Sequence, residues 1–247
     1  MRRVVGLRTG GAAAALLSIA VAVAGCGASP PTQIFDRFER ASSTEVNVPA
    51  AMSSLKTLED KDEKQYISII NQGKQDNRNV QTLIENTNQA LAERKQVLDQ
   101  MKAQLDEARD QIGEMDGIIA NLKEEELKKR AEEAYQAYVK RYDTFKSLFE
   151  SYEKWIEHEQ SLYEQLKSED TKLKSINKAV AERNEAYRQV EELKRQFNDY
   201  TTQFNTLKSD FYEKAGLQVK KPVPLKQEDD SVDPELEITP IEMDGSE

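Results

Sequence analysis

From Ile84 an apolar side chain returns at every seventh position: Leu91, Leu98, Leu105, Ile112 and Ile119 follow. A companion row runs Val80, Thr87, Arg94, Met101, Ala108, Met115 and Leu122. Alternating steps of three and four residues put both rows on one helical face, with the 3.5-residue period of left-handed bundle packing. Thr87 and Arg94 are polar intrusions in that seam. A second series runs Leu127, Ala131, Ala134, Tyr138, Tyr142, Phe145, Phe149, Tyr152, Ile156, Tyr163 and Leu166, with Glu159 interrupting it. The third runs Ile176, Val180, Tyr187, Val190, Leu193, Phe197, Tyr200, Phe204, Leu207 and Phe211.

The breaks between these series are legible. Asn121 and Glu124 have the spacing of a capping box, and Glu124, Glu125 and Glu126 suit the positive end of a helix. Ser168, Glu169, Asp170 and Thr171 offer polar caps for a following helix. Ala215-Gly216-Leu217 predicts a stop, with Gly216 left-handed and Leu217 packing back. Helices over about 76–120, 122–168 and 171–215 are nearly equal in length, as an up-down-up antiparallel bundle requires. Each would span roughly 65–70 Å at ~1.5 Å per residue. Such a rod has no room for an enclosed small-molecule pocket.

Upstream, Pro30-Pro31 and Pro49 can each open a helix. Ile34, Phe35 and Phe38 mark a short amphipathic piece, and Leu55, Leu58, Tyr66, Ile67 and Ile70 a longer one. Residues 41–48 are rich in Ser, Thr and Asn and predict a connection, while Gly73 either ends the longer helix or kinks it. The expected fold is all-α: an elongated, coiled-coil-like antiparallel three-helix bundle with extra N-terminal helices. Residues 49–217 form the bundle, residues 26–48 a tether with the short helix, and residues 218–247 a tail.

Composition sharpens this picture. Residues 50–221 contain no proline and only four glycines (Gly73, Gly113, Gly117 and Gly216), too few turn formers for a sheet protein. One Cys permits no internal disulfide, and one His leaves no multi-His metal cluster, so no metal is expected. From Gln227 to Glu247 there are nine acids and no Lys or Arg. Charge without hydrophobic periodicity predicts a disordered acidic tail, with cation or partner capture as the functional alternative.

The first 25 residues read as an address. Arg2, Arg3 and Arg8 precede an uncharged run from Gly11 to Ala24 that is shorter than the roughly 20 residues needed to cross a bilayer. The run ends Val23-Ala24-Gly25-Cys26, which resembles the bacterial lipobox. That resemblance implies a diacylglycerol thioether on Cys26, cleavage between Gly25 and Cys26, and a fatty acyl (palmitate-type) chain on the new amino terminus in some bacteria. Residue types agree: a peptidase needs small side chains at its scissile bond, and lipid transfer needs a thiolate. Two acyl chains, at ~0.8 kcal/mol per buried methylene, hold a protein on a membrane. The expected location is the extracytoplasmic side of the cell membrane. Loss of residues 1–25 leaves 32 basic against 45 acidic side chains, a net charge of −13. Nucleic acid is then excluded as a partner, because phosphate contacts need a basic surface.

Catalytic chemistry is scarce. His158 lies between Glu157 and Glu159, but helical neighbours point in different directions, so it is read as a surface or boundary residue. No nucleophile-elbow, phosphate-loop, dinucleotide or zinc-protease motif is present, and no enzyme is expected. Aromatic side chains crowd the second helix. Tyr138, Tyr142, Phe145, Phe149 and Tyr152 fall on its seam and predict core. Tyr135 and Trp155 lie one step off the stripe and are the candidates for exposed contact, where aromatic faces stack on sugar rings. Lys128, Lys129, Arg130, Lys140 and Arg141 form either a local basic face or a salt-bridged exterior.

Several segments together resemble one family. Cys26 with its lipobox, Arg141-Tyr142, Leu162-Tyr163-Glu164-Gln165-Leu166, and Phe211-Tyr212-Glu213-Lys214-Ala215-Gly216-Leu217 are similar to the YkyA-like cell-wall-binding lipoproteins of Gram-positive bacteria. The resemblance covers about residues 26–217. It implies a helical bundle anchored by lipid outside the membrane, with peptidoglycan or its attached polymers as partner. A protein–protein adaptor or chaperone-like coiled coil serving membrane or wall-assembly proteins is the alternative, motivated by the negative charge and by the intrusions Thr87, Arg94 and Glu159.

Overall fold

Pro30 and Pro31 occupy the first turn of α1 (Pro30–Thr44), where a missing N–H costs nothing. In the computed structural model, which describes residues 28–72, 77–168 and 170–217, five further helices follow. They are α2 (Val48–Gln72), α3 (Asn77–Ile112), α4 (Asp116–Ala120), α5 (Glu125–Lys167) and α6 (Leu173–Lys214). No strand occurs among the described residues. The lipobox, the Gly73 junction and the tail beyond residue 217 lie outside them.

Cross-helix pairs fix the topology. Moving up α3, Lys95, Asp106 and Gly113 meet Glu153, Tyr142 and Tyr135 in descending order on α5, so the two run antiparallel. Arg130 to Asp210 and Arg183 to Glu159 set α6 antiparallel to α5. Asp62 to Arg94 sets α2 against α3, and Glu39 to Lys208 and Glu59 to Lys194 set α1 and α2 in turn against α6. The three expected long helices are joined by a fourth member, α1 and α2 in succession, giving an up-down-up-down bundle. The short helix expected between the tether and the bundle is itself part of the bundle: Ile34, Phe38 and Ala41 of α1 share one buried cluster with side chains of α3, α4, α5 and α6. Its helix also runs to Thr44, so the connection expected over 41–48 shrinks to the three residues before Val48.

Every member of both rows from Val80 to Leu122 is buried, including Thr87 and Arg94. The helix itself does not run through to residue 120. Gly113 takes φ +56°, and Arg109 and Arg37 donate to the carbonyls of Gly113, Ile112 and Glu114, which have lost helical partners. The apolar phase survives the break because Met115, Ile119 and Leu122 still face the core. The capping box expected at Asn121 and Glu124 does not form. Asn121 donates instead to the Gly117 carbonyl, and Glu124 is an N-cap without a side-chain bond. At the far end of α6 the stop is as expected: Gly216 has φ +68°, and the Leu217 and Gly216 N–H groups donate to Tyr212 and Glu213 carbonyls in a Schellman motif.

The core is split in two. One cluster joins α1, α4, the end of α3, the start of α5 and the end of α6, here termed the α1 half. The other joins α2 with the opposite ends of α3, α5 and α6, the α2 half. Between them, where α1 gives way to α2, lies a polar layer. Arg141 pairs with Glu45 at 2.8 Å and donates to Thr201, and Tyr138 donates to Glu45. Arg141 is thus internal, not part of a basic face.

Candidate functional site

About 27 Å further along α5, eighteen residues from Arg141, a second polar layer is sealed inside the α2 half. The heptad phase of every helix delivers charge to it, one side chain each from α3, α5 and α6 and more than one from α2. On α2 the steps Leu55, Glu59, Asp62, Tyr66, Ile69 are those of an apolar seam, with acids at two positions. On α6 the steps Ile176, Ala179, Arg183, Ala186, Val190 do the same with one base. Arg94 of α3 and Glu159 of α5 complete the set, and all four side chains are nearly inaccessible to solvent.

Signs alternate around the ring. Arg94 Nη1 lies 2.5 Å from Asp62 Oδ2 and 2.9 Å from Glu159 Oε2. Arg183 donates from Nε to Glu159 Oε1 at 3.0 Å and from Nη2 to Glu63 Oε2 at 2.5 Å. One turn away Lys194 bonds Glu59 at 2.7 Å and Glu191 at 2.6 Å. Aromatic faces close the layer. The Arg94 guanidinium carbon sits 4.0 Å from the Trp155 ring centre, and that of Arg183 sits 4.2 Å from the Tyr66 ring centre. Cation–π attraction is strongest where water is excluded, as here.

Burial costs several kcal/mol per ion, and pairing offsets it only where partners are well placed. The consequences appear in proton affinity. Burial, and then neighbouring Glu159, push the Asp62 carboxyl up to about 8, against the pull of Arg94 and Arg183. Burial raises Glu59 as well, although Lys194 opposes it. Burial works against the Arg183 charge, but Glu159 and Glu63 outweigh it and raise its pKa. Burial, with the carboxylates Glu159 and Asp62, holds the Tyr163 hydroxyl well above its usual range. None of these groups is a nucleophile beside a base. The arrangement is a charge-paired clamp on four helices.

Tyr135 and Trp155, expected as exposed contacts, are 5% and 1% exposed. The reason is that α5 packs on both α3 and α6 and so buries more than one stripe. Residues one step off the seam, among them Leu148, Trp155 and Leu162, are covered too. Tyr135 donates to the Gly113 carbonyl at 3.3 Å. Among the described residues no Phe, Tyr or Trp is exposed; Tyr142, Tyr187, Tyr200 and Phe35 are half-buried. His158 is half-buried, as a boundary residue should be. On the α5 exterior, Arg130 pairs with Glu126 and Asp210, and Lys129 with Glu133. Thr87, Arg94 and Glu159 are partnered inside the bundle, and among the described residues the exposed large hydrophobics are Val46, in the α1–α2 connection, and Leu173, at the start of α6. The polar intrusions that motivated an adaptor are therefore internal, while the acidic excess that also motivated it remains.

Among the described residues no group of His, Cys, Asp and Glu is placed to hold a metal, and no helix is long and apolar enough to cross a membrane. The depressions along α3 beside Lys95 and Asp99, and between α1 and Gln111, are shallow and open.

Long antiparallel helices around a sealed ionic layer define an extended all-α four-helix bundle. The chain belongs to the YkyA family, described as putative cell-wall binding lipoprotein, which it matches over residues 29–214. A conserved protein of unknown function from Staphylococcus aureus, solved at 1.6 Å, is similar in fold, with a TM-score of 0.60. It is 10% identical, and the match covers 73% of this chain and 91% of that one. No curated protein matches the chain.

Proposed function

We propose that this protein is a non-catalytic lipoprotein that is anchored through Cys26 to the outer face of the cell membrane and contacts the cell wall. The observation that carries the reading is continuity. The family match begins at residue 29, three residues after the cysteine of a lipobox formed by Val23, Ala24, Gly25 and Cys26. Signal removal leaves Cys26 four residues ahead of Pro30, so the α1 end of the bundle stays close to the membrane and the α5–α6 turn points outward. With a 43-residue α5, that turn lies about 65 Å away.

Contact with peptidoglycan then falls to polar side chains of the helix exteriors, since the aromatic faces are covered. The test has two arms. Cells expressing the wild type should incorporate labelled fatty acid into the protein, and Cys26→Ala should abolish both labelling and membrane partitioning. Purified mature protein should co-sediment with isolated wall sacculi. Acylation without sedimentation at any salt concentration would leave a lipoprotein and remove wall contact from the reading.

A further inference from the structure

The ionic layer of the α2 half is unbalanced. Arg94 and Arg183 face three carboxylates, Asp62, Glu159 and Glu63. Two of these converge on one nitrogen, Arg94 Nη1, while Asp62 Oδ1 makes no hydrogen bond to the protein. Two carboxylates that close, shielded from water, cannot both ionise without large repulsion. One added proton gives equal numbers of positive and negative charges.

We propose that the layer holds one proton between Asp62 and Glu159 at neutral pH, and that this proton is the catch of a clamp that closes the α2 half and releases it when the proton leaves. Four helices meet at the catch, so its loss acts on all of them at once. The polar layer between the two halves has no such device, because it matches one acid, Glu45, to one base, Arg141.

Every charged or titratable neighbour bears on the catch. From α3 comes Arg94, from α5 Glu159 and Tyr163, and from α6 Arg183. From α2 come Glu63 and Tyr66, with Glu59 one turn off and paired there to Lys194 of α6. Burial first, then Glu159, outweigh the two arginines and set the Asp62 carboxyl near 8, against 3.8 for an ordinary aspartate. A folded-state value above the unfolded one means the closed form binds the extra proton. Closure is then strongest below about pH 4 and is lost as pH rises towards 8, with the opening constant growing about tenfold per pH unit over that window and levelling above it. Glu59, raised in the same direction, adds to the slope, so the decisive quantity is the difference made by Asp62 alone.

Hydrogen exchange on the full chain from pH 5 to 9, corrected for intrinsic exchange chemistry, reads this directly. Amides of α2 and the first half of α6 should lose protection with rising pH, while those of α1 and the last turns of α6 should not. In Asp62→Asn, which keeps a neutral side chain of the same shape, the slope should fall by about tenfold per pH unit. Equal slopes in both proteins, or parallel loosening of both halves, would overturn the proposal. Infrared spectroscopy supplies a readout that needs no variant to fold: the wild type at pH 7 should show a protonated-carboxyl band, and its absence refutes the catch. Where Asp62→Asn folds, its band should be weaker; an undiminished one assigns the proton elsewhere.

Discussion

Arg94 carries the most consequence of any single side chain. It bridges two buried acids and lies on the only tryptophan, so its removal strands both carboxylates in a dry interior. Arg94→Leu should lower stability by about 3–5 kcal/mol in denaturant titration. Asp62→Asn should stay within ~1 kcal/mol of wild type near pH 4, because a neutral acid and an amide place similar demands on their neighbours. It should be the more stable of the two at neutral pH, where ionisation of Asp62 in the opened chain favours opening of the wild type. Trp155 reports on the same spot. At 1% exposure its emission should be blue-shifted, resist soluble quenchers and remain unchanged when wall fragments are added. Quenching by glycan would show that the covered face opens. These residues were only partly legible in the sequence. Arg94 and Glu159 stood out as opposite charges on apolar rows, which is the signal of a buried pair. Asp62 was hidden among six successive charged residues, 59–64, and Arg183 among small alanines that an apolar count passes over. Carrying the heptad phase through them, whatever the side chain, recovers both.

The glycines separate backbone strain from space at the scale of an element. Gly113 ends α3 at φ +56°, and a Cβ there would come within 3.0 Å of Arg37 Nη1, which ties α1 to the end of α3. Gly216 ends α6 at φ +68° with open space around it, and Gly117 lies inside α4 with nothing near. Gly113→Ala should therefore cost most, about 1–2 kcal/mol of conformational strain plus displacement of Arg37. Gly216→Ala should cost ~1–2 kcal/mol from strain alone, and Gly117→Ala should add ~0.5–1 kcal/mol. Melts of the three variants give the order. Element existence and direction were readable because 3-4 spacing holds through α3, α5 and α6. What the spacing missed has physical causes. A left-handed glycine breaks a helix without disturbing the apolar phase, and α1 joins the core with only a few large side chains, Ile34 and Phe38 chief among them. The breadth of the α5 stripe follows from its having two antiparallel neighbours, which no one-dimensional pattern records.

For the whole molecule, charge decides how the rod meets its surroundings. A net charge of −13 after signal removal repels anionic wall polymers, so sedimentation with sacculi should strengthen, or at least hold, as salt rises and screens that repulsion. Weakening with salt would instead point to a cationic patch gripping phosphate. The two core clusters, parted by the Glu45–Arg141 layer, should make truncations act locally: Phe38→Ala, at roughly 3–5 kcal/mol, should loosen α1 and the end of α6 more than α2 in hydrogen exchange. The up-down-up-down course also returns residue 217 to the side where α1 begins. With the proposed anchor at Cys26, a fluorescent protein fused after that residue would emerge beside the lipid headgroups, blind to whatever touches the opposite tip. An epitope spliced between Lys167 and Leu173 would sample the outer periphery, so comparing antibody access to the two in intact cells maps which way the molecule stands.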